Sequence, residues 1–214
     1  MRKVAQWTIA SLLLAAGACG AASATVVTDP ANDFIPSFGG AHSGDIDVLS
    51  TSATFNGTSF QLGGTMNGSI GTLPTSLYVF GVNRGASTAN FAAIGLSNVI
   101  FDAVITLTGT GVLGGRDLVA NAALNLAGAT ATISGTSLLI NVPLSDLPSQ
   151  GFSALGYQFN LWPRDTSVAG NAAISDFAPN TSDFLASQVP EPWTAALLLT
   201  GLVGLALSRR AASV

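Results

Sequence analysis

The sequence predicts an all-β protein: an antiparallel β-sandwich of about 8–10 strands, flanked by an N-terminal signal peptide and a C-terminal transmembrane helix. Three observations lead there. Between residues 25 and 188, turn signals recur around short segments rich in Val, Ile, Thr and Phe. Helix signals are nearly missing from that region, the best being one turn over residues 144–150 that Pro148 limits. Both chain ends carry uncharged apolar runs, which lift the hydrophobic share to 48% while charged residues fall to 8%, against about a quarter in an ordinary soluble domain. With 214 residues there is room for one body once the ends are set aside: 1–24 as signal peptide, 25–188 as the β domain, and 189–214 as a tail with a membrane helix over about 193–208.

The N-terminal segment reads MRKVAQWTIASLLLAAGACGAASAT. Arg2 and Lys3 precede an apolar stretch and then small residues, the pattern of a secretory signal, with signal peptidase cutting after Ala24 because Ala22-Ser23-Ala24 satisfies the small-x-small rule. A retained signal anchor is the bland alternative. Ala16-Gly17-Ala18-Cys19 loosely resembles a lipobox but lacks the leucine three residues before the cysteine. Cleavage after Ala24 removes the only cysteine, so the mature chain has no thiol or disulfide chemistry and must be stabilised by packing.

The body that follows is acidic. Between residues 25 and 188 there are ten Asp, no Glu, no Lys and three Arg, a formal charge of −7. Such a surface argues against nucleic acid and anionic lipid as partners, since both select basic patches.

Along the body, DIDVLSTSATF-NG-TSFQLGGTM reads as a hairpin turning at Asn56-Gly57. SLYVFGVNR and VIFDAVITLTG are apolar on both faces and read as central strands. GRDLVANAALNL, ATATISG, TSLLINVPL and YQFNLWPR continue the series, and no fixed-period repeat supports a β-helix. Asn56, Asn67 and Asn180 sit in Asn-x-Ser/Thr triplets and read as turn chemistry.

At the C-terminus, residues 193–207 form an uncharged run rich in Ala and Leu. As a helix it would be roughly 22 Å long, short of the ~30 Å hydrocarbon core. The gap narrows if Arg209 and Arg210 snorkel to the cytoplasmic interface while Trp193 sits at the other. Pro190-Glu191-Pro192 ahead and the arginine pair behind argue against a buried globular helix.

Pro190-Glu191-Pro192, the apolar stretch and Arg209-Arg210, in that order beside an N-terminal signal, resemble a PEP-CTERM protein-sorting signal over about the last 26 residues. The resemblance implies an exosortase, a membrane cysteine transpeptidase-like enzyme, as processing partner. It also implies export across the inner membrane of a Gram-negative bacterium that makes extracellular polysaccharide. A transient membrane anchor would then be cut, leaving the body at the cell surface or in the extracellular matrix.

Chemistry in the body is sparse. DPANDFIPSFGGAHSGDIDV carries Asp29, Asp33, Asp45 and Asp47, oxygen donors of the type Ca²⁺ prefers, though without EF-hand spacing or its terminal Glu. The alternative is that these side chains cap turns. His42 lies near Ser43 and Asp45, but sequence neighbours rarely form a catalytic triad, and nothing marks two of the ten Asp as a glycosidase pair. In YQFNLWPRD, alternation puts Gln158, Asn160, Trp162 and Arg164 on one face, a set suited to stacking on and hydrogen-bonding a sugar, or else a Trp packed under a loop. The expectation is a non-enzymatic surface or matrix protein of structural or binding role, or alternatively a calcium-dependent polysaccharide-binding module.

Overall fold

A computed structural model describes residues 25–189; the predicted signal peptide with Ala24, and the tail with Pro190, Glu191, Pro192, Arg209, Arg210 and the predicted membrane helix, lie outside the described residues. Within them the chain is all-β, with short 3-10 turns and no helix long and apolar enough to cross a membrane. The strands are β1 (Val26–Thr28), β2 (Val48–Phe55), β3 (Ser59–Met66), β4 (Ser76–Asn83), β5 (Ala89–Phe91), β6 (Leu96–Phe101) and β7 (Ala103–Thr108). They continue as β8 (Leu113–Asp117), β9 (Ala122–Ala123), β10 (Thr130–Ser134), β11 (Ser137–Pro143), β12 (Gln158–Asp165), β13 (Phe184–Leu185) and β14 (Ser187–Gln188).

One six-stranded sheet runs β1-β2-β3-β11-β10, with β14 also pairing β2; the other runs β13-β12-β4-β7-β8-β9. All pairings are antiparallel except β14 with β2. The hairpin at Asn56-Gly57 joins β2 to β3, with Phe55 opposite Phe60. Its loop closes through the Asn56 side-chain oxygen, which accepts the N–H groups of Thr58 (3.1 Å) and Ser59 (2.9 Å), and Gly57 supplies the positive φ of 95°.

The strands exceed the expected number because two predicted strands are broken and several two- or three-residue edge strands form. VIFDAVITLTG divides at Asp102 into β6 and β7, and GRDLVANAALNL divides at Asp117 into β8 and β9. In each case the interrupting Asp turns its carboxylate to Arg84. The Asp117 Oδ1 also accepts the N–H groups of Val119 and Ala120, both at 2.9 Å, and so bends the chain out of the ladder.

The two sheets share one apolar core. Phe60, Leu62, Ile140 and Val142 from the first meet Tyr78, Phe80, Ile105, Phe159 and Leu161 from the second, and Phe60 stacks on Tyr157 at 5.2 Å. On β4 and β12 the opposite face is buried too. Val79 and Trp162 lie in a second cluster with Phe91, Val99, Phe101, Ile174 and Phe177, formed where the β5–β6 hairpin and the segment around residues 174–177 cover the outer face of the second sheet. That is why SLYVFGVNR, which becomes β4, reads as apolar on both faces, and β7, from VIFDAVITLTG, likewise sets Ile105 and Leu107 in the first core and Val104 against the second cluster.

Arg84, at the end of β4, is buried with its side chain 0% exposed. Its Nε meets Asp102 Oδ1 at 2.7 Å and its Nη2 meets Asp117 Oδ2 at 2.9 Å. Nη1 reaches the Pro148 carbonyl at 3.2 Å, while the Arg84 carbonyl accepts Gln150 N and Phe152 N. Burial would push the guanidinium pKa down, but the hydrogen bonds to Asp102 and Asp117 carry it upward. For Asp117 burial pushes upward, and the Ala120 N–H and Arg84 outweigh it, holding the group ionised. Replacing Arg84 with Met would strand two carboxylates in a buried setting. The expected loss is about 3–5 kcal/mol in urea unfolding; a loss below about 1 kcal/mol would show that the ion triad does not hold this end together.

Candidate cation site and the predicted sugar-binding face

The loop from Asp29 to Ser43 leaves edge strand β1 and crosses the end of the sheets before β2 begins. Asp29 N donates to Leu49 O at 2.9 Å, so its side chain starts from a backbone fixed against β2. Asn32 takes a positive φ of 63°, and its N–H donates to both oxygens of Asp47 (2.9 and 3.1 Å). That turn brings Asp33 back toward Asp29. Ile35 N donates to Ser175 O at 2.9 Å, which lays the loop along the segment carrying Asp176.

The result is a group of three carboxylates. Asp29, Asp33 and Asp176 each place one oxygen within 4.8 Å of the other two. Asp176 is fully buried; its Oδ2 accepts Val48 N at 2.8 Å and its Oδ1 accepts Phe177 N at 2.7 Å. Asn180 Nδ2 donates to Asp33 Oδ2 at 3.1 Å. Asp29 Oδ2 and Asp33 Oδ1 are shut off from solvent and receive no hydrogen bond. Burial first, and then the charge of Asp33, raises the Asp29 pKa above the usual carboxylate range; burial and the charges of Asp29 and Asp33 do the same to Asp176.

Of the four predicted ligands, Asp29 and Asp33 enter this group, while Asp45 and Asp47 serve the turns. Asp45 accepts Ser43 Oγ at 2.6 Å and Leu73 N at 2.8 Å. Asp47 holds Asn32 N and Asn67 Nδ2. Asp47 therefore shapes the loop that carries the other two carboxylates. Asp176 was not singled out in the sequence, although a lone Asp inside the apolar run AAISDFAP was a signal available there. His42 stacks on Phe34 at 4.2 Å, and Ser43 gives its hydroxyl hydrogen to Asp45.

The predicted sugar-binding face keeps its alternation but not its openness. Trp162 is 2% exposed, packed by Phe91 (5.0 Å, edge-on), Phe101 (4.9 Å) and Phe177 (6.0 Å), and its ring lies so close over Gly81 that a Cβ there would overlap it. Asn160 is fully buried and gives its amide hydrogens to Pro179 O (2.7 Å) and Ser182 O (2.8 Å). Gln158 accepts Asn83 Nδ2 at 3.0 Å. Arg164, its pKa pushed down by burial, donates to Gly170 O at 2.8 Å and shares a cleft of about 450 Å³ with the edge of Trp162, Leu77 and Val104. The expected stacking platform is thus replaced by a packed indole, because the β5–β6 hairpin seals the sheet face that alternation alone would leave to solvent.

Two outcomes are expected. Trp162→Ala should lower unfolding stability by about 3–5 kcal/mol in chemical denaturation, the cost of emptying a second-core ring site; a change below about 1 kcal/mol would refute the packed placement. Asp183 accepts Ile100 N at 3.0 Å, and burial pushes its pKa up to about 7 from 3.8. A carboxyl raised in the folded state favours folding when protonated, so its contribution is complete below the unfolded value and fades as pH climbs from 4 through about 7. Asp183→Asn should therefore stabilise the protein at alkaline pH by about 1–2 kcal/mol after allowance for solvent screening. Unfolding midpoints across the acid-to-alkaline range should converge near pH 4; parallel curves for wild type and variant would refute the assignment.

Compared with models of known protein families the chain has no match, and a search of curated proteins likewise returns no match.

Proposed function

We propose that this is an exported bacterial protein whose β-sandwich body works without catalysis at the cell surface or in the extracellular matrix. Its C-terminal tail serves as a sorting signal that an exosortase cuts after signal peptidase has removed residues 1–24. The observation that carries this reading is where the body begins and ends. Thr25 N donates to Ser187 Oγ at 3.1 Å, and Val189 N donates to Phe55 O at 2.9 Å, one residue before the Pro-Glu-Pro. β1 and β14 lie along the same edge of β2. Cuts at these two points would flank a body whose hydrogen-bonded ladder closes between them and would spare every strand of the described residues. By this reading the apolar run 193–208 holds the tail in the inner membrane until processing, with Arg209 and Arg210 on the cytoplasmic side.

Expression of the full chain in hosts with and without an exosortase, followed by intact mass of the exported product, tests it. The expected product begins at Thr25 and ends near Pro190–Pro192 only where the exosortase is present. A product that keeps its last residues in both hosts would refute the sorting role.

A further inference from the structure

The one-per-residue oxygens of Asp29, Asp33 and Asp176, within 4.8 Å of one another, are no farther apart than two calcium–oxygen bonds of about 2.3–2.6 Å laid end to end. Grouping alone does not identify a ligand, since carboxylates gather on many surfaces. A second observation does: Asp29 Oδ2 and Asp33 Oδ1 are closed to solvent and have no donor, beside a fully buried Asp176. Carboxylate oxygens in that position have lost water and gained nothing in return.

Among the described residues no arginine supplies the compensation. The arginines of the described residues are engaged elsewhere: Arg84 with Asp102 and Asp117, Arg116 with Asn121, and Arg164 with the Gly170 carbonyl. An all-oxygen, all-anionic donor set suits a hard divalent ion. Asp33 and Asn180 also line a surface cleft of about 600 Å³, which offers a way in and room for water to complete the shell.

We infer that Asp29, Asp33 and Asp176 bind one divalent cation, Ca²⁺, which fastens the loop after β1 to the segment after β12. Calcium is favoured over magnesium because three side chains from distant parts of the chain form an irregular set, and calcium tolerates irregular coordination where magnesium demands a near-ideal octahedron. Cation binding here is independent of how the tail is processed.

The test uses the purified full chain, stripped with EGTA and titrated with CaCl₂ near neutral pH, followed by calorimetry and thermal unfolding. One Ca²⁺ per chain should bind saturably, and Tm should rise by roughly 5–10 °C at a hundredfold excess over Kd. Asp33→Asn should weaken binding by about tenfold or more, since affinity follows the number of charged ligands, whereas Asp146→Asn, outside the cluster, should leave it unchanged. Should Asp33→Asn fail to fold, the wild-type titration decides alone. A folded chain with no saturable heat and no Tm shift, or equal losses in the two variants, would overturn the site. Binding of Mg²⁺ or Mn²⁺ with Ca²⁺ silent would overturn the assignment to calcium.

Discussion

The buried guanidinium of Arg84 is the interaction on which the far end of the second sheet depends. Within one side chain's reach it holds the β6–β7 break at Asp102, the β8–β9 break at Asp117 and the loop at Pro148. Two carboxylates around one cation leave this knot with a net negative charge. Backbone donors carry the remainder: Arg84 N and Ala86 N on Asp102 Oδ2, and Val119 N and Ala120 N on Asp117 Oδ1. A lysine would supply the charge but not the planar fork that reaches two acids and a carbonyl together. The knot thus explains both why apparently continuous strands break and why the breaks are ordered.

The same charge balance shapes the opposite end of the molecule. With three arginines for ten aspartates in the body, most carboxylates must be satisfied by backbone N–H groups. Asp45 and Asp47 do so, each accepting main-chain donors that fix a turn. Asp29 and Asp33 retain one oxygen apiece with no such donor. What separates Asp29 and Asp33 from the turn-capping Asp47 is therefore not burial, because Asp47 is the more buried, but an oxygen left without a donor.

Much of the fold was legible in the sequence, because period-2 alternation and turn chemistry act locally. The hairpin at Asn56-Gly57, the double-faced apolarity of β4 and β7, and the grouping of Gln158, Asn160 and Trp162 on one side of β12 all follow from neighbours along the chain. The remainder depends on contacts between distant segments. Nothing near Asp102 announces that it breaks a strand; the reason is Arg84, eighteen residues earlier. Trp162 was placed on the correct side of its strand, yet whether that side is open depends on Phe91, Phe101 and Phe177, from a separate hairpin and a later loop. The candidate site was half legible for the same reason. Asp29 and Asp33 share one short turn, while Asp176 joins them only through the path of the chain after β12.

Edge strands give that site its mechanical meaning. β1 has three residues and β14 two, and together they cover one edge of β2. Short edges discourage pairing with other chains, but they contribute few ladder hydrogen bonds to hold the segment where the chain enters the fold. Side chains take over that task just beyond β1: Asp47 grips Asn32, Asp176 grips Val48, and Asn180 grips Asp33. A divalent ion among Asp29, Asp33 and Asp176 would add a fourth fastening at the point where repulsion between like charges otherwise works to open the loop. The acidic composition of the body, with ten aspartates to three arginines, would then make its entry loop depend on a cation.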